Sequence, residues 1–496
     1  MVTKELYMFL LSTILAVPLL GALIILIIPA NRTLLIQKTA IAASAVSALF
    51  AGWMCVSFDR TSAAMQFAEK TAWIPSLGVN YSLGADGLSA AMIALTTLLT
   101  LVSLIYSLNI TDRIKEFFFW FLLLETGMLG VFMSLDFFLF YVFWELTLVP
   151  MYFLIGIWGG PKKEYAAIKF FLYTLFGSVF LLLGILALYF ASTPHTFDML
   201  ELARQSPGFG FKFQLWTFLA LYIGFAIKIP AFPFHTWLPL AHVEAPTGVS
   251  VVLAGILLKM GTYGLMRVSI PVLPLAFKWF LPALVSIAVI NIIYGALVAM
   301  AQKDIKKMVA YSSINHMGYC MLGIAATSAI GYGGAVMQMI THGLITGSLF
   351  LLVGVIYDRT HTRDIGEFGG LASRMPVYAA IMILQCLASL GLPGLAGFIS
   401  EFLCFLGAFP AWPYYTAASA IGILVTAAFF LRMIEKVFLG PFNEKWSGLK
   451  DMAPRELLAI IPLAFLTLII GLWPRLCLDM VNPTVTALAQ VINSVK

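Results

Sequence analysis

The chain has 496 residues, of which 61% are hydrophobic and only 10% are charged. Soluble proteins carry roughly 25% charged residues, so this composition excludes an ordinary soluble enzyme and predicts a membrane protein. The net charge of +6 is modest and lies in loops, which gives no indication of nucleic-acid binding. The five cysteines form no CxxC pair and no phosphate-binding GxxxxGK[ST] motif occurs, so we expect no cofactor in this chain.

Fourteen apolar segments are long enough to cross a bilayer as helices, for which about 20 residues are needed. The predicted spans cover residues 6–28, 36–57, 86–109, 116–134, 136–157, 167–190, 214–240, 248–270, 279–300, 308–329, 331–357, 376–409, 413–437 and 456–475. The longest polar stretch, residues 440–455, is interpreted as a connecting loop. The sequence therefore predicts an all-α polytopic membrane protein with about fourteen transmembrane helices.

The basic residues predict an orientation. Lys and Arg cluster in the loops after spans 5, 9, 11 and 13, whereas the loops after spans 4, 10 and 12 carry none. Cytoplasmic loops of membrane proteins are enriched in these residues. The odd-numbered loops are therefore predicted to be cytoplasmic, and both termini are predicted to lie on the non-cytoplasmic side.

Two spans are interrupted by helix-breaking residues. Span 7 contains AIKIPAFPFHTWLP, with Pro230 and Pro233, and span 12 contains SLGLPGLAGF, with Pro393. Such breaks persist in a membrane only inside protein or beside water. Their separation by five spans predicts an inverted repeat, although ordinary packing kinks are an alternative. The predicted units are residues 1–110 (spans 1–3), 111–273 (first repeat, spans 4–8), 274–438 (second repeat, spans 9–13) and 439–496 (cytoplasmic loop and span 14).

Titratable residues inside the predicted spans are the candidate functional residues. They are Glu145 in span 5, Lys228 and His235 on either side of the break in span 7, Lys259 in span 8, His316 in span 10, His342 in span 11 and Glu401 in span 12. A charge at the centre of a membrane helix costs roughly 2.5–3.5 kcal/mol, so such residues usually serve a function. Together they could relay protons. Each alone also has a structural interpretation: locking helices by ion pairing, capping a broken helix, or hydrogen bonding within the core.

The sequence resembles a known family along essentially its whole length. The strings that carry the resemblance are LDFFLFYVFWELTLVPMYFLIGIWGG, YAAIKFFLYTLFGSVFLL, GFAIKIPAFPFHTWLPLAHVEAPTGVSVVLAGILLKMGTYGLMR, DIKKMVAYSSINHMGY and GLPGLAGFISEF. They are similar to the antiporter-like membrane subunits of respiratory complex I, the bacterial NADH:quinone oxidoreductase. Glu401 points to the M-type members, because the L- and N-type members usually have Lys at that place.

The resemblance implies a fold of fourteen helices with two inverted five-helix repeats, and a proton path. It makes Glu145 and Lys228 the paired residues of the first half and Lys259 the connecting base. His316 and His342 become polar positions of the central axis, and Glu401 the terminal acid. His235 is a possible further member.

The resemblance also implies a setting. The chain would be a proton-translocating, non-redox subunit in the bacterial inner membrane, beside L- and N-type subunits and membrane lipids. FMN and iron–sulfur clusters would lie in partner subunits. Two alternatives remain at this point: a subunit of a multisubunit sodium/proton antiporter, and a purely structural subunit without an ion path.

Overall fold

The computed structural model describes residues 9–495, which form a helical bundle with one two-stranded sheet. The helices are α1 (Leu10–Ile27), α2 (Thr33–Ser57), α3 (Gly87–Tyr106), α4 (Ile114–Met133), α5 (Phe137–Trp158), α6 (Lys163–Ala191), α7 (Met199–Gln205), α8 (Phe211–Lys228), α9 (Trp237–Glu244), α10 (Thr247–Val272), α11 (Pro274–Met300), α12 (Ile305–Ala325), α13 (Ala329–Thr360), α14 (Pro376–Ser389), α15 (Ala396–Ala408), α16 (Pro413–Phe438), α17 (Pro454–Leu472) and α18 (Arg475–Ser494). Strands β1 (Gln66–Ile74) and β2 (Val79–Ala85) pair antiparallel.

Each of the fourteen predicted spans contains helix. Among the described residues, eleven helices are long and apolar enough to cross a membrane. The three other predicted spans correspond to α12 and to the broken pairs α8–α9 and α14–α15. The polytopic helical fold is thus confirmed, while the count of fourteen crossings stays a prediction. The predicted first span starts at residue 6, and residues 1–8 and 496 lie outside the described part.

The β1–β2 hairpin, the short helix α7 and helix α18 were not predicted from the sequence. The β1–β2 hairpin lies between α2 and α3, in a stretch of mixed polar and apolar residues. Helix α18 is amphipathic: Val481, Val485, Leu488 and Ile492 are buried on one face, against α3 and α13. Its apolar residues form a helical stripe rather than a continuous run, so a search for apolar segments does not detect it.

Helices α10 and α13 form the centre of the bundle, because their apolar lengths are completely buried within the chain. A helix that is hydrophobic all round belongs in the core of a bundle rather than at the lipid surface. Two π-helical turns, Leu253–Leu257 and Leu265–Ser269, interrupt α10 on either side of Lys259. Such turns insert an extra residue and often occur at functional sites.

The break between α8 and α9 is stabilised by a side chain from α11. Asn291 Oδ1 accepts a hydrogen bond of 2.8 Å from the backbone N–H of Phe232, and its Nδ2 donates to the carbonyl of Pro230 at 3.2 Å. The indole of Trp237 donates to the carbonyl of Ile227. Backbone groups that proline leaves without helical partners are therefore satisfied by protein.

The break between α14 and α15 depends on glycine. Gly391 and Gly394 have φ of +82° and +92°, a backbone conformation that glycine adopts without steric cost. A Cβ on Gly391 would lie 3.0 Å from Oε2 of Glu401, so this turn also leaves space for the carboxyl group. The broken segment thus places a backbone turn directly against Glu401.

A recurring backbone contact relates the two halves of the chain. Asp136 precedes α5 and caps it, and forms an isolated antiparallel bridge with Asp198. Asp304 precedes α12 and caps it, and forms the same bridge with Asp364. The two bridges are five predicted spans apart, as expected for two related five-helix units. The residue boundaries of the four predicted units stay a prediction.

Candidate functional site: a row of buried titratable side chains

Lys259 and His342 are in direct contact at the centre of the bundle. Lys259 Nζ lies 2.6 Å from Nδ1 of His342, and also donates to the carbonyl of Ala254 at 2.5 Å. Ala254 belongs to the first π-helical turn of α10, where the regular ladder of helical hydrogen bonds is disturbed. The turn therefore provides a backbone acceptor for a buried ammonium group.

The contact continues through His316 to Glu401. The rings of His342 and His316 have centroids 5.4 Å apart, and His316 Nε2 lies 3.6 Å from Oε1 of Glu401. His316 Nε2 also lies 3.1 Å from the carbonyl of Ser389, at the end of α14. Lys259, His342, His316 and Glu401 thus form one continuous series, which we name the central row.

A small cavity lies beside the central row. It has about 10 Å³ of free space and is lined by His316, His342, Thr341 and Glu401 among others, which is roughly the room that one water molecule needs. His316 Nδ1 and His342 Nε2 have no hydrogen-bond partner within the described chain. A water molecule in this space could join the two imidazoles, which form no direct hydrogen bond with each other in the described chain.

Lys228 and Glu145 are not in direct contact, and the pairing that the resemblance implies stays a prediction. Lys228 Nζ lies 3.4 Å from the hydroxyl of Thr147 and 5.3 Å from the ring centroid of Trp144. No ion pair within 4.0 Å joins Lys228 to Glu145 in the described chain, although the two charges interact at longer range.

The contact with Lys228 lies at an irregular point of α5. Pro150 has no N–H to donate to the carbonyl of Leu146, and the helix is interrupted at Thr147. The interruption presents the Thr147 hydroxyl to Lys228. Glu145 instead lies half-buried on the outer part of the bundle, and its Oε1 has no hydrogen-bond partner among the described residues.

His235 lies apart from the central row. It is in the break between α8 and α9, where its ring packs on Phe232 and its Nε2 lies 3.2 Å from the hydroxyl of Tyr294. Of the seven predicted residues, the structure therefore brings four together in the central row. Lys228 and Glu145 occupy a second region, and His235 contacts α11.

His242 is a candidate that sequence reasoning missed. It is fully buried in α9, stacks on Phe350 at 4.6 Å, and neither ring nitrogen has a partner in the described chain. It interacts electrostatically with both Lys259 and Lys306. The predicted span 7 ended at residue 240, which placed His242 in a loop. Its spacing of seven residues from His235, two helical turns, was the signal available.

Lys306 lies on a polar cavity at one end of the bundle, which we name the vestibule. The vestibule has a volume of about 320 Å³, and its charged lining residues are Glu244, Lys306, Asp358 and Arg363. Lys306 Nζ donates to the carbonyl of Ala245 at 2.6 Å, immediately before α10. His242 thus lies between a polar cavity at the surface and the central row.

Comparison with known proteins identifies chains that are similar along most of their length. Residues 134–429 match the family described as NADH:quinone oxidoreductase/Mrp antiporter, transmembrane. NADH-quinone oxidoreductase subunit M of Rickettsia conorii is 43% identical over 94% of this chain and 96% of its own length. A chain of respiratory complex I from Thermus thermophilus superposes with a TM-score of 0.89 at 31% identity, covering 97% of this chain and 99% of that one.

A chain of the Mrp complex from Dietzia sp. DQ12-45-1b has a TM-score of 0.85 over 98% of this chain and 99% of its own, at 20% identity. At that identity the likeness concerns the fold alone.

Proposed function

The chain belongs to the family of transmembrane subunits shared by NADH:quinone oxidoreductases and Mrp antiporters, and from this premise we propose that it is the proton-carrying M-type subunit of an NADH:quinone oxidoreductase. The similarity to subunit M extends over nearly the full length of both chains, and the structural match to a complex I chain is equally complete. The subunit itself is non-redox. FMN and iron–sulfur clusters belong to partner subunits.

The observation that carries this proposal is the central row. Lys259, His342, His316 and Glu401 are nearly or completely buried, and neighbouring members approach within hydrogen-bond distance or within the span of one water molecule. Charges at this depth are costly and persist only with partners, water or a functional reason. Groups that each take up and release a proton, arranged in series, are suited to proton transfer.

The proton path follows from the order of these groups. A proton enters from the vestibule, passes Lys306 and His242, and reaches Lys259. His342 and His316 carry it to Glu401, which releases it towards the opposite side. The loop charges support a cytoplasmic vestibule and release on the non-cytoplasmic side, with both termini there.

Lys228 and Glu145 provide the connection to the rest of the complex in this proposal. Lys228 is buried, and its hydrogen-bond and cation–π contacts within the described part of the chain are with Thr147, Trp144 and Phe170, so that an anion nearby can influence its charge. Glu145 lies half-buried near the outer surface of the bundle, where a neighbouring L- or N-type subunit can reach it. Movement of the Glu145 carboxylate, or of a charge beside it, would change whether Lys228 holds its proton. The charge on Lys228 would in turn act on the groups of the central row.

Purification of the tagged chain from its membrane in mild detergent tests the proposal. Co-purified flavin and iron–sulfur subunits, with proton uptake driven by NADH after reconstitution, would support it. An assembly without redox subunits that exchanges Na⁺ for protons would instead establish the sodium/proton antiporter alternative. An assembly that oxidises NADH and pumps equally well when Glu401 is replaced by Gln would indicate a structural subunit.

A further inference from the structure

A second buried charge cluster lies on the same helix as Lys259 but outside the proposed path. Arg267 forms an ion pair with Asp86, and their side chains are only 7% and 2% exposed. Arg267 Nη2 also donates to Ser89 Oγ at 3.2 Å, and its Nε donates to the hydroxyl of Tyr263 at 3.2 Å. We name these four residues, Asp86, Ser89, Tyr263 and Arg267, the Arg267 cluster.

The cluster lies between Lys259 and one end of the bundle. Tyr263 and Arg267 follow Lys259 by four and eight residues on α10, which places Arg267 about 12 Å further along the helix at 1.5 Å per residue. This is the Val272 end of α10, the end that the loop charges assign to the non-cytoplasmic side. Tyr263 and Arg267 therefore lie along α10 between Lys259 and that side.

The cluster is closed on its outer face by α18. Asp86 caps α3, accepting from the backbone N–H of Ser89 at 3.0 Å. The next residue, Gly87, donates from its backbone to Thr484 Oγ1 at 3.1 Å, and a Cβ at Gly87 would collide with the carbonyl of Met480. The backbone of α18 thus packs tightly over the start of α3, and the ion pair beneath it is kept from water.

None of the groups in the cluster is free to relay a proton. Arginine does not release its proton in proteins. The Tyr263 hydroxyl donates to the carbonyl of Phe132 at 3.1 Å, so its hydrogen bond ends at a backbone group that cannot pass a proton on. The Asp86 carboxyl group accepts hydrogen bonds from Arg267 Nη2 and from the backbone N–H of Ser89 at the start of α3. A lysine at position 267, or an Asp86 without its arginine, would in contrast be titratable.

We propose that the Arg267 cluster is a proton seal: it prevents a proton on Lys259 from leaving directly to the non-cytoplasmic side, so that the proton must continue through His342 to Glu401. The inference rests on the proposed function, since a seal has meaning only if Lys259 carries protons. In this proposal Arg267 acts as a barrier because its guanidinium group does not release a proton. Its positive charge alone would not be sufficient.

Passive proton conductance of the reconstituted complex tests the seal without NADH. Complexes in liposomes are subjected to a potassium diffusion potential with valinomycin, and proton entry is followed with an internal pH dye. Arg267→Lys and Arg267→Gln should raise proton entry several-fold over the wild type, because each makes the cluster titratable. The double variant Asp86→Asn with Arg267→Gln should remain near the wild-type rate, because it removes both charges and retains an amide that can cap α3.

A second pair of variants distinguishes a leak through the path from general damage. Adding Lys259→Met to Arg267→Lys should return proton entry to the wild-type rate, because the leak would pass through Lys259. If Arg267→Gln fails to assemble, Arg267→Lys decides the matter, since it retains the cation and the size of the side chain.

The inference is overturned if Arg267→Lys does not leak in assembled complexes, if the neutral double variant leaks as much as Arg267→Lys, or if Lys259→Met does not suppress the leak. Proton pumping by the wild-type complex with NADH is measured separately. Failure of the seal therefore leaves the proposed function intact, whereas absence of NADH-driven pumping would contradict the proposed function itself.

Discussion

Nζ of Lys259 lies 2.6 Å from Nδ1 of His342 and joins the two helices of the bundle whose apolar lengths are completely buried. At this distance Lys259 donates and His342 Nδ1 accepts, or the reverse after the proton has moved. The pair cannot carry two positive charges and keep this hydrogen bond, because both nitrogens would then be donors. Lys259 and His342 therefore carry at most one positive charge between them while this hydrogen bond is kept.

Replacement of His342 should interrupt the path after Lys259. His342→Asn retains a polar group near Lys259 but cannot carry a proton, so we expect an assembled complex whose proton uptake per NADH falls substantially. The measurement is dye-reported acidification of inverted vesicles, with assembly checked on native gels. The matched control is His361→Asn, because His361 is exposed and has φ of +54°, which asparagine tolerates. Equal uptake in the two variants would remove His342 from the path.

Substitutions of Glu401 should rank by their ability to titrate. Glu401→Gln should reduce pumping by about tenfold or more, in line with the loss of a proton-transfer group. Glu401→Asp should reduce it mildly, and Glu401→Lys should lie between, because a titratable base replaces the acid. Glu435→Gln, an exposed substitution on α16, is the control. If the Gln and Asp variants of Glu401 pump equally well in assembled complexes, the carboxyl group is structural and release occurs elsewhere.

Glu145→Gln should abolish most coupled pumping while leaving the complex assembled. Glutamine retains the shape of the side chain but removes the charge that interacts with Lys228. Because Glu145 is half-buried with an unpartnered Oε1, its loss should affect assembly little. NADH-driven vesicle acidification and native gels measure the two effects, with the exposed Glu164→Gln as control. Near-normal pumping by assembled Glu145→Gln would show that this carboxylate is not needed.

The contacts of Lys228 predict which double-mutant cycle shows the stronger coupling. Lys228 Nζ touches the hydroxyl of Thr147, whereas Glu145 is beyond ion-pair distance. Contacting residues couple more strongly than separated ones. Thr147→Val and Lys228→Met should therefore be clearly non-additive in the midpoint of thermal dissociation of the complex. Glu145→Gln and Lys228→Met should be closer to additive. The opposite order would indicate that Lys228 and Glu145 pair directly in the assembled complex.

The central row was largely predictable from the sequence, and the reason is energetic. Lys259, His316, His342 and Glu401 stand in apolar segments where an isolated charge is costly, so their presence together predicted that they share one region. The sequence could not indicate which atoms of these side chains are in contact. That order depends on the π-helical turn that presents Ala254 to Lys259 and on the glycine turn that places Ser389 and Gly391 beside the row.

Other features could not be predicted because they depend on where helices end and how they pack. His242 was assigned to a loop, because the helix after the break continues to Glu244, four residues beyond the predicted end of span 7. Helix α18 has too few apolar residues in succession to resemble a membrane span. Lys228 contacts Thr147 rather than Glu145, and the side chains of Glu145 and Thr147 lie roughly 200° apart around the helix, so they face different surroundings.

Proton release by Lys259 is the central step of the proposed path. The measurement that tests this step is proton uptake driven by NADH in liposomes that contain Lys259→Arg complexes. Arginine preserves the positive charge but does not give up its proton in proteins. Lys212→Arg is the matched control, because Lys212 is exposed at the start of α8, outside the row. We predict assembled Lys259→Arg complexes with little or no proton uptake through this subunit, and normal uptake for Lys212→Arg. Wild-type uptake per NADH in the Lys259→Arg complex would contradict a proton path through the central row.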